Sequence, residues 1–411
     1  MSHSARELVI WLALLFCLGV GDAKAQSTLR PSVAQFPVPD AITSRAEWEK
    51  PAFLDGWGGV PANGGETYRN FRGQCQIFGH QAQSVSGIFE DGQLASVTIV
   101  VLDAGAWFGF VPDAQLKQVA ATKGPQFAAL YKTVAADTER GLAALAGGTG
   151  RKVPFVEKGA LKHDVQVFHC GDLWARLTCR DNQLVKLTLT RAEADAVSPL
   201  NTWRRTAKKA EQAGKFAARV QTAENGDRLL EGVPIFVQGD RAYCGVAALA
   251  MAMQFMGLRL DTEDYADAAG IRFGSTRRSD IRGVYESAAD VAKVHLPRTT
   301  RFDFARARTC IDAGFPVIAF RRWSQERDFI HTAFARRFLK DPLARLPKPD
   351  LNDQKSWPAR GDYAHSSLIT GYNTARREVI FTESWGEFSR NRRMRIEEME
   401  GTAYYACYPH L

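Results

Sequence analysis

The chain has 411 residues, 45% of them apolar and 24% charged, with a formal net charge of +8. This ordinary globular composition is enough for a sizeable core and points to two domains. It shows no aromatic-and-basic interleaving of the kind that argues for specific nucleic-acid binding. Beyond the first residues, no stretch is long and apolar enough to cross a bilayer.

Those first residues read as a targeting signal. Arg6 precedes the apolar run "LVIWLALLFCLGVG", and an Ala-x-Ala site ends at Ala25. We expect a Sec-type signal peptide over 1–25, cut before Gln26, and hence a periplasmic or secreted protein. The charge of +8 survives this cut, because Arg6 and Lys24 leave with Glu7 and Asp22. Local concentrations at "FRRW", "FARRFLK" and "SRNRRMR" read as solvated faces, and they are candidates for contact with an anionic surface. Export permits disulfides among Cys75, Cys170, Cys179, Cys310 and Cys407. Cys170 with Cys179, and Cys310 with Cys407, are candidate pairs, and the sequence alone leaves both open. No Cys-x-x-Cys or close His/Cys cluster suggests zinc.

Residues 26–70 are rich in Pro, Gly and Trp and read as an irregular leader. An internal repeat follows. The 26 residues from Gln76, "QIFGHQAQSVSGIFEDGQLASVTIVV", align without a gap on those from Gln166, "QVFHCGDLWARLTCRDNQLVKLTLTR". Each copy reads as strand, tight turn, strand, turning at Asp91-Gly92 and at Asp181-Asn182, where these residue types tolerate positive φ. A helical stretch follows each copy. Phe127, Leu130, Tyr131, Val134 and Leu145 mark the first, stopped by Gly147-Gly148, and Trp203, Ala207, Ala210 and Ala217 mark the second. Residues 71–222 are therefore expected to form a duplicated ββα domain, with a sheet on one side and helices on the other. His80, His163 and His169 show no metal spacing. The polar stretch 221–232 marks a domain boundary, and a cut there would support an inhibitory role for the repeat.

The second domain, 233–411, carries the chemistry. Asp240–Tyr243 reads as a turn, and "CGVAALAMAMQFM" from Cys244 reads as a helix closed by Gly257. Cys244 then sits in the first helical turn, where unsatisfied N–H groups favour a thiolate. Gln238, six residues upstream, can fold back to supply a donor for an oxyanion. His365 opens a strand, "HSSLITGY", and the next strand ends in "ESWG". A hairpin of these two would bring Glu383 beside His365, with Trp385 as a shield from water. Between them lies Arg321–Tyr363, with an amphipathic stretch (Phe329, Phe334, Phe338) and a proline-rich loop. It is expected near the cleft as a flap or wall, and its His331 is read as non-catalytic.

"QGDRAYCG" resembles the active-site segment of papain-like cysteine peptidases. "YCGVAALAM", "AGFPVIAF" and "HSSLITGY" are more similar to the branch that holds the bacteriocin-leader-processing (C39-like) peptidases, while "ESWG" resembles papain's Asn-Ser-Trp-Gly. The resemblance covers about 233–411 and implies an α+β papain-like fold. It implies Cys244 as nucleophile, His365 as general base and then acid, Gln238 as oxyanion donor and Glu383 as the orienting residue. Both branches place a shorter Asn or Asp at that last position. The expected function is an exported cysteine peptidase acting on peptide or protein substrates, with no metal or organic cofactor. The alternatives are an amidase or transpeptidase acting on cell-wall peptide, and a papain-like binding module whose catalysis has lapsed.

Overall fold

The computed structural model describes residues 34–61, 65–271, 281–347 and 350–411. The expected signal peptide and its cleavage site lie outside the described residues. Two largely antiparallel sheets organise the chain, and residues 35–411 pack as one unit.

The first sheet has seven strands: β1 (Glu66–Asn70), β2 (Ser84–Glu90), β3 (Gln93–Asp103), β4 (Arg151–Val156), β5 (His163–Cys170), β6 (Leu173–Arg180) and β7 (Leu184–Thr190). Their order is β1-β2-β3-β7-β6-β5-β4. The turns fall as the sequence predicts. Asp91 and Gly92 both take positive φ, at 49° and 79°, and Asn182 takes 51°. The repeat is visible in the register: Thr98 lies opposite its repeat mate Thr188, and on either side Ser96 meets Thr190 and Val100 meets Lys186. The two copies thus meet about a local two-fold.

The equivalence stops short of the full alignment. Residues 76–77 and 80–81 form only a small separate ladder, and β1 takes the place beside β2 that β5 holds beside β6 in the second copy. The stretch read as irregular leader therefore supplies a sheet strand, and it also forms short helical turns at Asp40–Thr43 and Pro51–Asp55.

The helices also depart from a symmetric ββα pair. After a short α1 (Ala104–Phe108), α2 (Leu116–Ala146) packs across β3, β5, β6 and β7 and ends at Gly147, whose φ of 67° closes the helix. The second stretch is broken at Ala207 into α3 (Thr202–Thr206) and α4 (Lys209–Ala217). Phe216 of α4 stacks on Phe315 in the C-terminal half, with ring centroids 4.6 Å apart. Buried polar side chains of β6 and β7 instead meet the C-terminal half. Lys186 reaches Asp261 at 2.9 Å and also pairs with Asp264.

The second sheet has eight strands: β8 (Val220–Thr222), β9 (Arg228–Leu230), β10 (Arg298–Thr299), β11 (Val317–Trp323), β12 (Tyr363–Asn373), β13 (Glu378–Thr382), β14 (Arg392–Arg395) and β15 (Ala403–Cys407). The path is β8-β9-β12-β11-β15-β10, with β13 on the other side of β12 and β14 beyond it. The polar stretch read as a boundary is thus a hairpin that joins this sheet: Arg228 pairs with Tyr372, and Leu229 with Gly371. Helix α5 (Cys244–Phe255) packs on β12 and β11, and every one of its residues except Cys244 is buried. Its Ala, Leu and Met side chains lose little freedom in a helix, and Gly257, at φ 85°, terminates it.

One further expectation is corrected, and one open question is answered. Arg321 of "FRRW" and Arg392 and Arg393 of "SRNRRMR" are 2%, 1% and 2% exposed. Arg321 meets the buried Glu383, Arg392 the half-buried Asp328, and Arg393 the buried Asp227 and Glu378. Arg392 and Arg393 are neighbours on β14 and point to opposite faces, both of them covered, which charge runs alone do not reveal. All six cysteines in the described residues are free thiols, so neither candidate pair is bridged.

Candidate active site

Cys244 opens α5, and His365 lies in β12 directly opposite Arg321 in β11. Glu383 follows β13, one residue beyond the pair Leu368–Thr382. The hairpin therefore does what its spacing predicts: Nε2 of His365 lies 2.8 Å from Glu383 Oε2. The thiol of Cys244 is hydrogen-bonded to the same imidazole. With Nε2 engaged by Glu383, Nδ1 is the nitrogen left for sulfur. The imidazole thus links the thiol to the buried carboxylate.

The electrostatics follow from these contacts. Burial alone would push the Cys244 thiol up, but the hydrogen bond and charge of His365, with the N–H groups of Ser366 and Gly245, hold it below its ordinary value. Burial also opposes charge on His365. Glu383 and the sulfur outweigh it and raise the imidazole to about 9. Glu383 is fully buried, yet His365 and Arg321 hold its carboxyl down to about 2. At neutral pH this set favours a thiolate–imidazolium pair.

Trp385 stacks on the His365 ring, centroids 4.7 Å apart and planes 25° from parallel. It covers the imidazole as expected. Trp323 approaches both rings, at 6.5 Å from His365 and 6.2 Å from Trp385.

Gln238 is pinned to the segment after Glu383. Its backbone N–H donates to the Ser384 carbonyl at 2.8 Å, and its side-chain oxygen accepts from Ser384 Oγ. Nε2 donates one hydrogen to the Arg241 carbonyl at 3.1 Å. An amide NH₂ has two hydrogens, so this bond uses one of them.

Sequence reasoning missed Arg321 and Ser367. Arg321 Nη2 donates to Glu383 Oε1 at 2.7 Å, and its Nε donates to Ser367 Oγ at 2.7 Å. Ser367 Oγ donates in turn to Glu383 Oε1 at 2.8 Å. One carboxylate oxygen is thus held by two donors while the other faces His365. The available signal was period two: Ser367 lies two residues after His365, on the same strand face.

The insertion after β11 opens with a sixteen-residue helix. Helix α6 (Gln325–Lys340) packs on β14. Arg327 binds Glu398 through two contacts of 2.7 and 2.6 Å and reaches Asp353 at 2.6 Å. Phe334 is buried, Phe338 half-buried and Phe329 64% exposed, so the expected apolar stripe is incomplete. His331 is buried against Glu398, at 2.9 Å. His80 pairs with Asp137 and His169 stacks on Trp174. Among the described residues no group of His, Cys, Asp and Glu is arranged to hold a metal ion, and no helix is long and apolar enough to cross a membrane.

Residues 230–410 match the Peptidase C39 like family. This region is a C39-like cysteine peptidase domain. No curated protein matches the chain. Among solved structures, a C39-like peptidase from Bacillus anthracis is 16% identical, with 44% of this chain and 96% of that chain covered and a TM-score of 0.28. The peptidase domain of Streptococcus ComA, a bi-functional ABC transporter involved in a quorum sensing pathway, is 12% identical. There 43% of this chain and 97% of that chain are covered, again with a TM-score of 0.28. The peptidase domain takes protein or peptide as substrate.

Proposed function

We propose that the peptidase domain hydrolyses peptide bonds with Cys244 as nucleophile, His365 as acid and base, and Glu383 as the group that orients and charges the imidazole. The thiolate attacks the scissile carbonyl. Gln238 donates its second amide hydrogen to the developing oxyanion, His365 protonates the leaving amine, and water then releases the acyl group with His365 as base. Arg321 and Ser367 act as positioning residues, because they fix the longer glutamate where a shorter side chain would need no support. On this reading the enzyme works outside the cytoplasm after loss of residues 1–25.

The observation that carries the proposal is the unbroken contact from sulfur through imidazole to a buried carboxylate. Iodoacetamide labelling of Cys244 across pH tests it. Rapid labelling well below the ordinary cysteine pKa of about 8.5 is expected, together with cleavage of a peptide panel. Labelling that rises only near that value would return the domain to a lapsed binding scaffold. Turnover of a peptidoglycan digest but not of the panel would make it an amidase.

A further inference from the structure

A cleft of about 550 Å³ opens between the repeat sheet and the turn that carries Gln238. That size falls in the range of ligand sites. One wall is Val237–Arg241, so the cleft begins at the candidate oxyanion donor. The facing wall comes from β2 and β3 and the chain beside them, including Ser84, Ser86, Thr98 and Val100. Tyr68 and Phe236 meet edge to face in its lining, with ring centroids 4.7 Å apart, and Phe71 and Val85 extend this apolar floor.

The charge of the lining is one-sided. Asp103, Asp240, Asp261 and Glu263 line the cleft against a single guanidinium, Arg241. Lys186, from behind, answers Asp261. Arg241 is divided between Asp103 at 3.2 Å and Glu263 at 2.8 Å. Asp103 is fully buried, and its Oδ1 has no hydrogen-bond partner; the hydroxyl of Thr262, 2% exposed, is likewise unpartnered. Burial and the charge of Glu263 push the Asp103 carboxyl up to about 6 despite Arg241. Negative charge in this wall therefore exceeds what the protein supplies to meet it.

An apolar floor ending in excess carboxylate suits a side chain with an aliphatic stem and a cationic head. We infer that this cleft is a substrate subsite for an arginine or lysine side chain close to the scissile bond, with the repeat half forming one of its walls. The cation meets Glu263 and Asp240 at the mouth, and Asp103 adds its field from behind. The inference rests on the peptidase reading above for its place beside the scissile bond, but the binding itself needs no turnover.

The test uses the full chain carrying Cys244→Ala, titrated calorimetrically with acetyl-Gly-Gly-Arg-Gly-Gly-amide and with its citrulline twin, which keeps the shape and loses the charge. The arginine peptide should bind roughly tenfold tighter at low salt. Glu263→Gln should shrink the preference to about threefold or less, and Asp240→Asn, on an exposed turn, gives a second variant of low folding risk. Equal affinity for the twins, or a preference untouched by both variants, overturns the inference. In the wild-type chain the arginine peptide should also slow alkylation of Cys244. An unactivated Cys244 with the arginine preference intact would remove the peptidase reading and leave the cleft. An activated Cys244 that cleaves a panel without regard to basic residues would remove the cleft and leave the peptidase.

Discussion

The C-terminal half contains two buried His–Glu–Arg clusters that look alike and behave oppositely. His365 Nε2 lies 2.8 Å from Glu383, which Arg321 also binds. His331 Nε2 lies 2.9 Å from Glu398, which Arg327 also binds. Yet His365 is raised to about 9, and His331 is lowered from its ordinary value. Burial works against charge in both. The difference lies on the other side of each ring. His365 turns its second nitrogen to a sulfur that becomes negative, whereas Nδ1 of His331 is buried without a partner. Arg321 and Arg392 further oppose charge on His331. A carboxylate beside a histidine therefore does not make a base; what the imidazole meets across from it decides.

Substitutions can break this comparison. Cys244→Ala should lower peptide cleavage by about 10³-fold or more, read as kcat/KM on the best panel peptide. Glu383→Gln keeps the shape and removes the charge; it should cut kcat by roughly 10²- to 10⁴-fold and let His365 titrate nearer its ordinary value, followed by NMR of the imidazole. The matched change Glu398→Gln should leave activity per folded molecule intact and cost about 1–3 kcal/mol in urea unfolding, because Arg327 loses one of its two carboxylate partners and keeps Asp353. Equal losses of activity in the two glutamine variants would erase the distinction.

Smaller effects sharpen it. Arg321→Lys keeps a charge but loses the forked grip on Glu383 and Ser367, and kcat/KM should fall by roughly tenfold. The basic limb of the kcat/KM profile should lie near pH 9, where His365 gives up its proton. The two histidines should also pull stability in opposite directions. A folded pKa of about 9 against 6.5 unfolded means that the His365 contribution is complete below 6.5 and is lost as pH rises toward 9. His331 is depressed, so its contribution is present above 6.5 and is lost as pH falls below that value. Urea midpoints of His365→Asn and His331→Asn against wild type, across that span, should diverge with opposite slopes.

Much of the site was readable along the chain because its parts are local. A cysteine before an alanine-rich helix, and a histidine and glutamate on neighbouring strands of one hairpin, need only short-range rules. Arg321 was not readable, because its role depends on β11 lying against β12 in one register, with Arg321 opposite His365. A one-residue slip would have turned it to the other face. The same limit explains the buried arginines of "SRNRRMR", whose carboxylate partners lie as far off as Asp227. In the repeat, the turns were legible from their residue types. The loss of equivalence before Ser84 and the break at Ala207 carry no such local signal, and beyond that break Phe216 packs on Phe315 in the other half.

The hairpin of β8 and β9 has a consequence for processing. Asp227 in its turn is 2% exposed and held by Arg393, and β9 is hydrogen-bonded to the strand that bears His365. A protease that nicked the backbone there would separate the chain on a denaturing gel without freeing either fragment in native solution. Any control exerted by the repeat would have to survive such a nick, and so would depend on contact rather than on covalent connection.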